Sequence, residues 1–115
     1  MFAFLVETFD FIGPETSDDQ VSYYSPSLAV HVAMDPRDGL LTFAEGHAHG
    51  MRVSAELACL YVEAGLGPAQ RVRTAAGSVH AVRKSLGSQA FALRELLPIL
   101  LQPEGTALLS VCRAR

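Results

Sequence analysis

Two histidines separated by one residue form the most specific chemical pattern in the chain. His47 and His49 lie in the run from Glu45 to Gly50, Glu-Gly-His-Ala-His-Gly. Side chains two residues apart on a β-strand point to the same side, so both imidazoles could bind one metal ion. Two imidazoles and a carboxylate suit zinc or iron(II). The sequence therefore suggests a divalent metal site of His47, His49 and Glu56, with Glu45 as the alternative carboxylate.

The His47–His49 spacing resembles the His-x-His motif of cupins. In cupins a glutamate follows the second histidine by three or four residues, whereas six residues separate His49 from Glu56. The alternative interpretation is a loop between a strand and a helix, in which the histidines hydrogen-bond to backbone groups. The corresponding enzyme hypothesis is a small metal-dependent or acid–base enzyme that uses this pair.

Basic residues form a second candidate site. Residues 70–75 and 78–85 have patterns that predict two strands of a hairpin. A basic two-stranded ribbon can follow a nucleic-acid backbone or dock in a groove. The alternative is a solvated hairpin face that meets acidic residues of a second subunit. The candidate residues for binding an anion, a nucleic acid or a protein partner are Arg71, Arg73, Arg83 and Lys84.

Other polar residues give weaker signals. His31 and His80 lie in predicted strands and are expected to be hydrogen-bonded sheet residues. The run Ser22-Tyr-Tyr-Ser25 brings four hydroxyl groups together, which could line a polar pocket or rim an edge strand. The chain has no Gly-x-Ser-x-Gly sequence and no glycine-rich phosphate-binding motif, so nucleophilic catalysis and nucleotide-dependent chemistry are not expected.

Composition predicts one globular domain. The chain has 115 residues, of which 50% are hydrophobic and 18% are charged, and this balance is typical of a single domain over residues 1–115. The net charge of −3 hides an uneven distribution, because residues 1–69 carry ten acidic against two basic residues and residues 70–115 carry seven basic against two acidic ones. Two copies could pair these oppositely charged regions.

The sequence also predicts a compartment. The N-terminal run Met1–Glu7 lacks the positive charge of a secretory signal, and no apolar run approaches the roughly 20 residues of a membrane span. Cys59 and Cys112 lie in apolar patterns and are expected to be buried free thiols. We therefore expect a cytoplasmic protein, and the single lysine against eight arginines suggests a bacterial or phage origin.

The elements that would position these residues follow from periodicity and turn signals. Gly65 is placed to end the first long helix, and Ser88 could cap the second. Residues 2–12 fit a strand or an amphipathic helix, and their β-forming residues favour the strand. The other predicted elements are strands at 21–34 (interrupted at 25–27), 40–44, 70–75, 78–85 and 106–112, and helices at 51–64 and 88–101, with a turn at 35–39. This order predicts an α+β fold with a mainly antiparallel sheet built from hairpins and two helices packed on one face. A second copy could cover the other face, so a homodimer is expected.

One short segment invites a family comparison. The run Leu5-Val-Glu-Thr-Phe-Asp-Phe-Ile-Gly13 resembles in spacing the LAGLIDADG signature of homing endonucleases. With residues 2–12 as a helix, the resemblance implies a core of helix, hairpin, helix, hairpin, helix. Glu7 replaces the small residue of the motif and Ile12 replaces its metal-binding acid, so the resemblance implies at most a DNA-binding relative without nuclease activity.

Taken together, the sequence predicts a small binding or regulatory module that forms homo-oligomers and is not a catalyst. The metal-dependent enzyme and the nucleic-acid-binding protein are the two alternatives. Binding partners are expected to be a second copy of the chain and a protein or nucleic acid on the basic hairpin, without membrane insertion.

Overall fold

A computed structural model describes residues 2–35 and 39–113 of the chain. An antiparallel sheet occupies the first half and helices the second, which confirms the predicted α+β class. The strands are β1 (Ile12–Thr16), β2 (Gln20–Tyr24), β3 (Ala29–Asp35), β4 (Gly39–Ala48) and β5 (Met51–Glu56). The helices are α1 (Phe4–Glu7), α2 (Leu57–Glu63), α3 (Val79–Leu100) and α4 (Glu104–Cys112), with a 3-10 helix at Ala69–Arg71.

The sheet is a meander in which each strand pairs with the next one along the chain. Asp35 pairs with Gly39, so the hairpin predicted around this turn is confirmed, although residues 36–38 lie outside the described residues. The sequence 25–27, predicted to interrupt one strand, instead forms the turn between β2 and β3. The Ser25 amide donates to the Leu28 carbonyl at 2.8 Å. Pro26 has no N–H to donate to a neighbouring strand, so it suits this turn better than a strand interior.

Helices cover one face of this sheet. Alternate residues of β4 are buried, from Leu40 to Ala48, whereas the residues between them are partly or fully exposed. The buried face packs against α2, α3 and α4, and the core between them includes Val30, Leu60 and Leu93, all with no exposed surface. Three helices rather than the predicted two therefore cover one face of the sheet.

The predicted helix over residues 51–64 is wrong in its first half. Residues 51–56 form β5, which pairs with β4, and the helix α2 begins only at Leu57. The apolar positions of 51–56 fit both a helix and a strand, and the neighbouring β4 edge supplies the hydrogen bonds that favour the strand. The end of the helix is as predicted: Gly65 has a φ of 76°, and the Leu66 amide donates to the Tyr61 carbonyl at 3.2 Å.

The predicted second hairpin is also wrong. Residues 79–100 form the single helix α3, which Ser78 rather than Ser88 caps by accepting a hydrogen bond from the Ala81 amide. His80 therefore lies in a helix and not in a sheet. Ser85 and Gln89 are buried and continue the helical stripe of Leu93, but their polar side chains hide that stripe from a search for apolar periodicity.

The two ends of the chain differ from prediction as well. Residues 2–12, for which the sequence favoured a strand over a helix, contain the short helix α1 before β1 begins at Ile12. Residues 106–112 belong to α4 instead of a strand. Packing of α4 against β4 and β5 outweighs the β-propensity of its residues. The LAGLIDADG resemblance implies the order helix, hairpin, helix, hairpin, helix. The chain instead has a five-stranded meander followed by helices, and residues 79–85 are helical, so the implied order is not observed.

Cys59 and Cys112 form a disulfide rather than two free thiols. The bond joins α2 to the last turn of α4, with the two Cα atoms 5.8 Å apart. The sequence patterns placed both cysteines on apolar surfaces but could not show that the surfaces meet. Because disulfides are rare in reducing compartments, the cysteines no longer support the cytoplasmic location predicted from free thiols.

Candidate binding site on the open face of the sheet

Polar side chains cross the face of the sheet that the helices leave open. Ser22, His31, Glu45 and Arg52 lie on β2, β3, β4 and β5, one on each strand. Ser22 lies directly opposite His31. Glu45 lies two residues from the partner of His31, and Arg52 two residues from the partner of Glu45. Long side chains reach such diagonal neighbours, so alternation and register together produce a continuous polar cluster, which we call the sheet-face site.

Hydrogen bonds hold the imidazole of His31 in one orientation. The Ser22 hydroxyl lies 2.7 Å from Nδ1 of His31, and the side-chain amide of Gln20 lies 3.2 Å from the same nitrogen. The Gln20 amide also donates to the Ser22 oxygen at 3.0 Å. Because an NH₂ group can only donate, Nδ1 accepts, the Ser22 hydroxyl donates to it, and the proton of the neutral ring lies on Nε2.

The Nε2 atom of His31, which carries the proton of the neutral ring, faces two charged groups. Its Nε2 lies 3.8 Å from Oε1 of Glu45, and Nε of Arg52 lies 3.7 Å from the same oxygen. Both distances exceed those of a good hydrogen bond, so the three groups keep hydrogen-bonding capacity for another molecule. The Tyr24 ring packs edge-on against the imidazole, with ring centres 5.9 Å apart. On the other face of β2, burial raises the pKa of Tyr23.

A shallow depression covers this cluster. Its volume is about 560 Å³, within the size range of ligand sites in proteins. A smaller hollow of about 170 Å³ adjoins it towards the β2–β3 turn, and the two share Tyr24, Glu45 and Arg52. The residues around the larger depression are Gln20, Tyr24, His31, Phe43, Glu45, Arg52 and Ser54. The depression therefore combines two aromatic rings with an imidazole N–H donor, a carboxylate and a guanidinium cation.

The three predicted metal ligands do not converge. His47 lies on the open face opposite Arg52, whereas His49 has a φ of 53° and forms a two-residue turn with Gly50. Glu56 lies at the far end of β5, roughly 17 Å along the strand from that turn. Within residues 2–35 and 39–113, no three histidine, cysteine or acidic side chains are arranged to hold a metal ion.

The four predicted basic residues do not form a ribbon. Arg71 ends the 3-10 helix, Arg73 follows in an irregular segment, and Arg83 and Lys84 lie in the second turn of α3. All four side chains belong to exposed residues. The structure thus brings Arg71 and Arg73 against α3 instead of pairing them with a second strand.

Sequence reasoning missed the sheet-face site, although one signal for half of it was present. The predicted hairpin pairs Asp35 with Gly39, and counting back from that turn places His31 diagonally beside Glu45. Nothing in the sequence pattern placed Arg52 there, because its segment fits a helix as well as a strand. Of residues 22–25, Tyr24 lines the depression, whereas Ser22 is buried beneath it and its hydroxyl contacts His31.

No family model, no curated protein and no solved structure matches this chain. Across the described part of the chain, none of the helices has the length and apolar character needed to cross a bilayer.

Proposed function

We propose that the protein is a non-catalytic binding module whose sheet-face site takes a small zwitterionic ligand of the amino-acid class. One observation carries the proposal: a cation, a carboxylate and an imidazole N–H meet on the open face of the sheet, with 3.7 and 3.8 Å between them. Arg52 would bind a ligand carboxylate through paired N–H groups. Glu45 would accept hydrogen bonds from a ligand ammonium group.

Burial supports an anchored site with one exposed arm. The side chain of Glu45 is 27% exposed and that of His31 is 15% exposed, whereas that of Arg52 is 71% exposed. The two inner groups are thus held in place before a ligand arrives, which lowers the entropy lost on binding. The exposed Arg52 side chain can move to cover the ligand. The rings of Tyr24 and Phe43 provide an apolar surface for the side chain of the ligand.

Two features favour binding over catalysis. The Ser22 hydroxyl, which touches His31, belongs to a residue with only 4% of its surface exposed, so it is not presented to a substrate. The depression is also shallow and open, whereas acid–base catalysis gains from a site that excludes water.

Ligand-induced stabilisation tests this proposal. Free amino acids are screened for a rise in the thermal midpoint, alongside matched carboxylates without the amine and matched amines without the carboxylate. We expect a zwitterion to bind best, because only it satisfies Arg52 and Glu45 together. Arg52→Gln and Glu45→Gln should each weaken binding at least tenfold, while the controls Arg83→Gln and Glu56→Gln should leave it unchanged. No stabilisation by any amino acid, or equal affinity in all four variants, would contradict the proposal.

A homodimer is the second part of the proposal. The exposed acidic residues Asp18 and Asp19 lie in the β1–β2 turn, and Glu15 precedes them in β1. Arg83 and Lys84 are exposed on α3, so two copies can bring opposite charges together. Light scattering at about 50 mM and 200 mM salt tests it, because screening weakens contacts between exposed charges. We expect a dimer at low salt that dissociates in Arg83→Glu/Lys84→Glu. A monomer at both salt concentrations would contradict it.

A further inference from the structure

A second depression lies on the other side of the molecule, between the irregular segment after α2 and the helix α3. Its volume is about 490 Å³. We call it the arginine pocket, and the residues around it are Tyr61, Gln70, Arg71, Arg73, Ser88, Phe91 and Ala92. It shares no residue with the sheet-face site, so it raises a separate question of function.

The backbone that carries the two arginines is fixed to α3. The Ser88 hydroxyl donates to the Arg71 carbonyl and accepts from the Arg73 amide at 3.0 Å. The fully buried Gln89 side chain donates to the Arg73 carbonyl at 2.6 Å. Three hydrogen bonds from two successive helix residues therefore hold the backbone of Arg71 and Arg73 in place. The two arginine side chains thus extend from a fixed backbone.

The guanidinium groups themselves keep most of their donors unused. Arg71 makes one long contact, from Nη1 to the Leu66 carbonyl at 3.5 Å. Among the described residues no carboxylate lies within ion-pairing distance of either arginine. Lys84 lies one helical turn before Ser88 on the same side of α3 and adds a third positive charge nearby.

An exposed aromatic ring completes the pocket. Phe91 is 67% exposed, so most of its ring surface is available to another molecule. It follows Ser88 by one helical turn, so its ring stands beside the two arginines. The sequence pattern could not show this arrangement, because Phe91 belongs to the helix and the arginines to a segment predicted as a strand.

We propose that the arginine pocket binds a nucleotide unit, with its phosphate on Arg71 and Arg73 and its base on the ring of Phe91. Arginine pairs with phosphate through two parallel N–H donors. Bases stack on exposed aromatic side chains without regard to sequence. An acidic peptide would use the arginines but not the ring, and a neutral aromatic compound would use the ring but not the arginines. The combination therefore favours a nucleotide, either free or within a single strand.

Equilibrium titrations with three probes test the proposal on the 115-residue chain. The probes are adenosine 5′-monophosphate, adenosine, and a single-stranded oligouridylate, each titrated at about 50 mM and 200 mM salt. We expect the monophosphate to bind at least tenfold more tightly than adenosine, with an affinity that falls as salt rises. Much tighter binding of the oligonucleotide would identify a nucleic-acid strand as the source of the nucleotide.

Matched variants decide whether the binding occurs in this pocket. Arg73→Ala should weaken binding of the monophosphate at least tenfold, whereas Arg113→Ala removes the same charge outside the pocket and should change it less than twofold. Phe91→Leu should weaken binding at least fivefold, and Phe91→Tyr should restore it because the ring is kept. All these side chains are exposed, and urea unfolding confirms that each variant folds.

Two results with the phosphate-bearing probes would overturn the proposal, and one result with an acidic peptide would also do so. One is the absence of binding by both phosphate-bearing probes at low salt. The other is binding that Arg73→Ala and Phe91→Leu leave unchanged, which would place the ligand elsewhere. An acidic peptide that competes with the monophosphate and is insensitive to Phe91→Leu would assign the pocket to a protein partner instead. Because Arg52 and Glu45 lie outside this pocket, failure here leaves the sheet-face proposal untouched.

Discussion

Two glycines in helices differ in how tightly their surroundings constrain them. Gly87 lies inside α3, and a Cβ atom added there meets nothing within 4 Å. Gly105 lies in the first turn of α4, where a Cβ atom would clash with the carbonyl group of Leu100. Gly105 is thus required by the close approach of two helices, whereas Gly87 has no such role.

Exchange of each glycine for alanine should change stability in opposite directions. Gly87→Ala should raise the free energy of unfolding by about 1 kcal/mol, because alanine loses less backbone entropy in a helix. Gly105→Ala should lower it by about 3 kcal/mol, because the backbone of α3 or α4 must shift to relieve the clash. Urea denaturation of the two variants measures both effects. Equal midpoints would show that the helix junction is looser than described.

The polar cluster shows what the residue scale alone can reveal. His31 is hydrogen-bonded within the sheet, as its position in a strand pattern predicted. Its neighbour Glu45 follows from the register of a hairpin whose turn the sequence predicts. Arg52 does not follow, because only pairing with β4 determines that its segment is a strand.

At the scale of elements, α3 organises the second half of the chain through three buried or half-buried polar side chains. Ser85 donates to the Ala75 carbonyl at 2.6 Å, and Ser88 binds the backbone at Arg71 and Arg73. Gln89 donates at 2.6 Å to the carbonyls of both Leu40 and Arg73. The irregular segment before α3 thus gains from helix side chains the backbone partners that a second hairpin would otherwise have supplied.

Replacement of Gln89 should loosen this segment. The side chain is fully buried and also accepts a hydrogen bond from the Thr42 hydroxyl at 2.6 Å. Gln89→Leu keeps a similar volume but leaves these partners without a hydrogen bond, so we expect a loss of about 3 kcal/mol in the free energy of unfolding. Urea denaturation measures the loss.

A matched control separates this effect from general changes in helix composition. Gln102→Leu alters an exposed glutamine after the end of α3 and should change the free energy of unfolding by less than about 0.5 kcal/mol. Hydrogen exchange provides a second readout, because the amide of Leu40, which donates to the Thr74 carbonyl, should exchange faster only in Gln89→Leu. Unchanged exchange in that variant would contradict the assigned role.

At the scale of the whole molecule, the disulfide connects distant parts of the chain. Cys59 and Cys112 are 53 residues apart in sequence, and the intervening segment contains all of α3. The link restricts the unfolded chain, which stabilises the folded state by about 2–4 kcal/mol for bonds of this kind. It also holds α4 against α2 at the end of the described chain.

Removal of the disulfide should therefore lower stability without changing the fold. Cys59→Ser/Cys112→Ser should unfold at a lower urea concentration than the native protein, with a loss of about 2–4 kcal/mol. Reductant should produce a similar loss in the native protein and none in the double variant. If reductant has no effect on either protein, the bond does not contribute to stability in solution.

The sequence by itself determined the features that depend on neighbouring residues. Three features follow from local chemistry and periodicity: the α+β class, the turn that pairs Asp35 with Gly39, and the end of α2 just before Gly65. Such signals are encoded within a few residues, because proline and glycine restrict or widen the allowed backbone angles.

The tertiary structure decided the rest, including both candidate sites. Residues 51–56 and 79–85 each fit a period of two and a period of 3.6, and the β4 edge and the buried Ser85–Gln89 stripe selected between them. The disulfide, the Glu45–Arg52 pair and the placement of Phe91 beside Arg73 all join residues from different elements. Contacts of this kind depend on how the layers pack, and no short run of sequence contains that information.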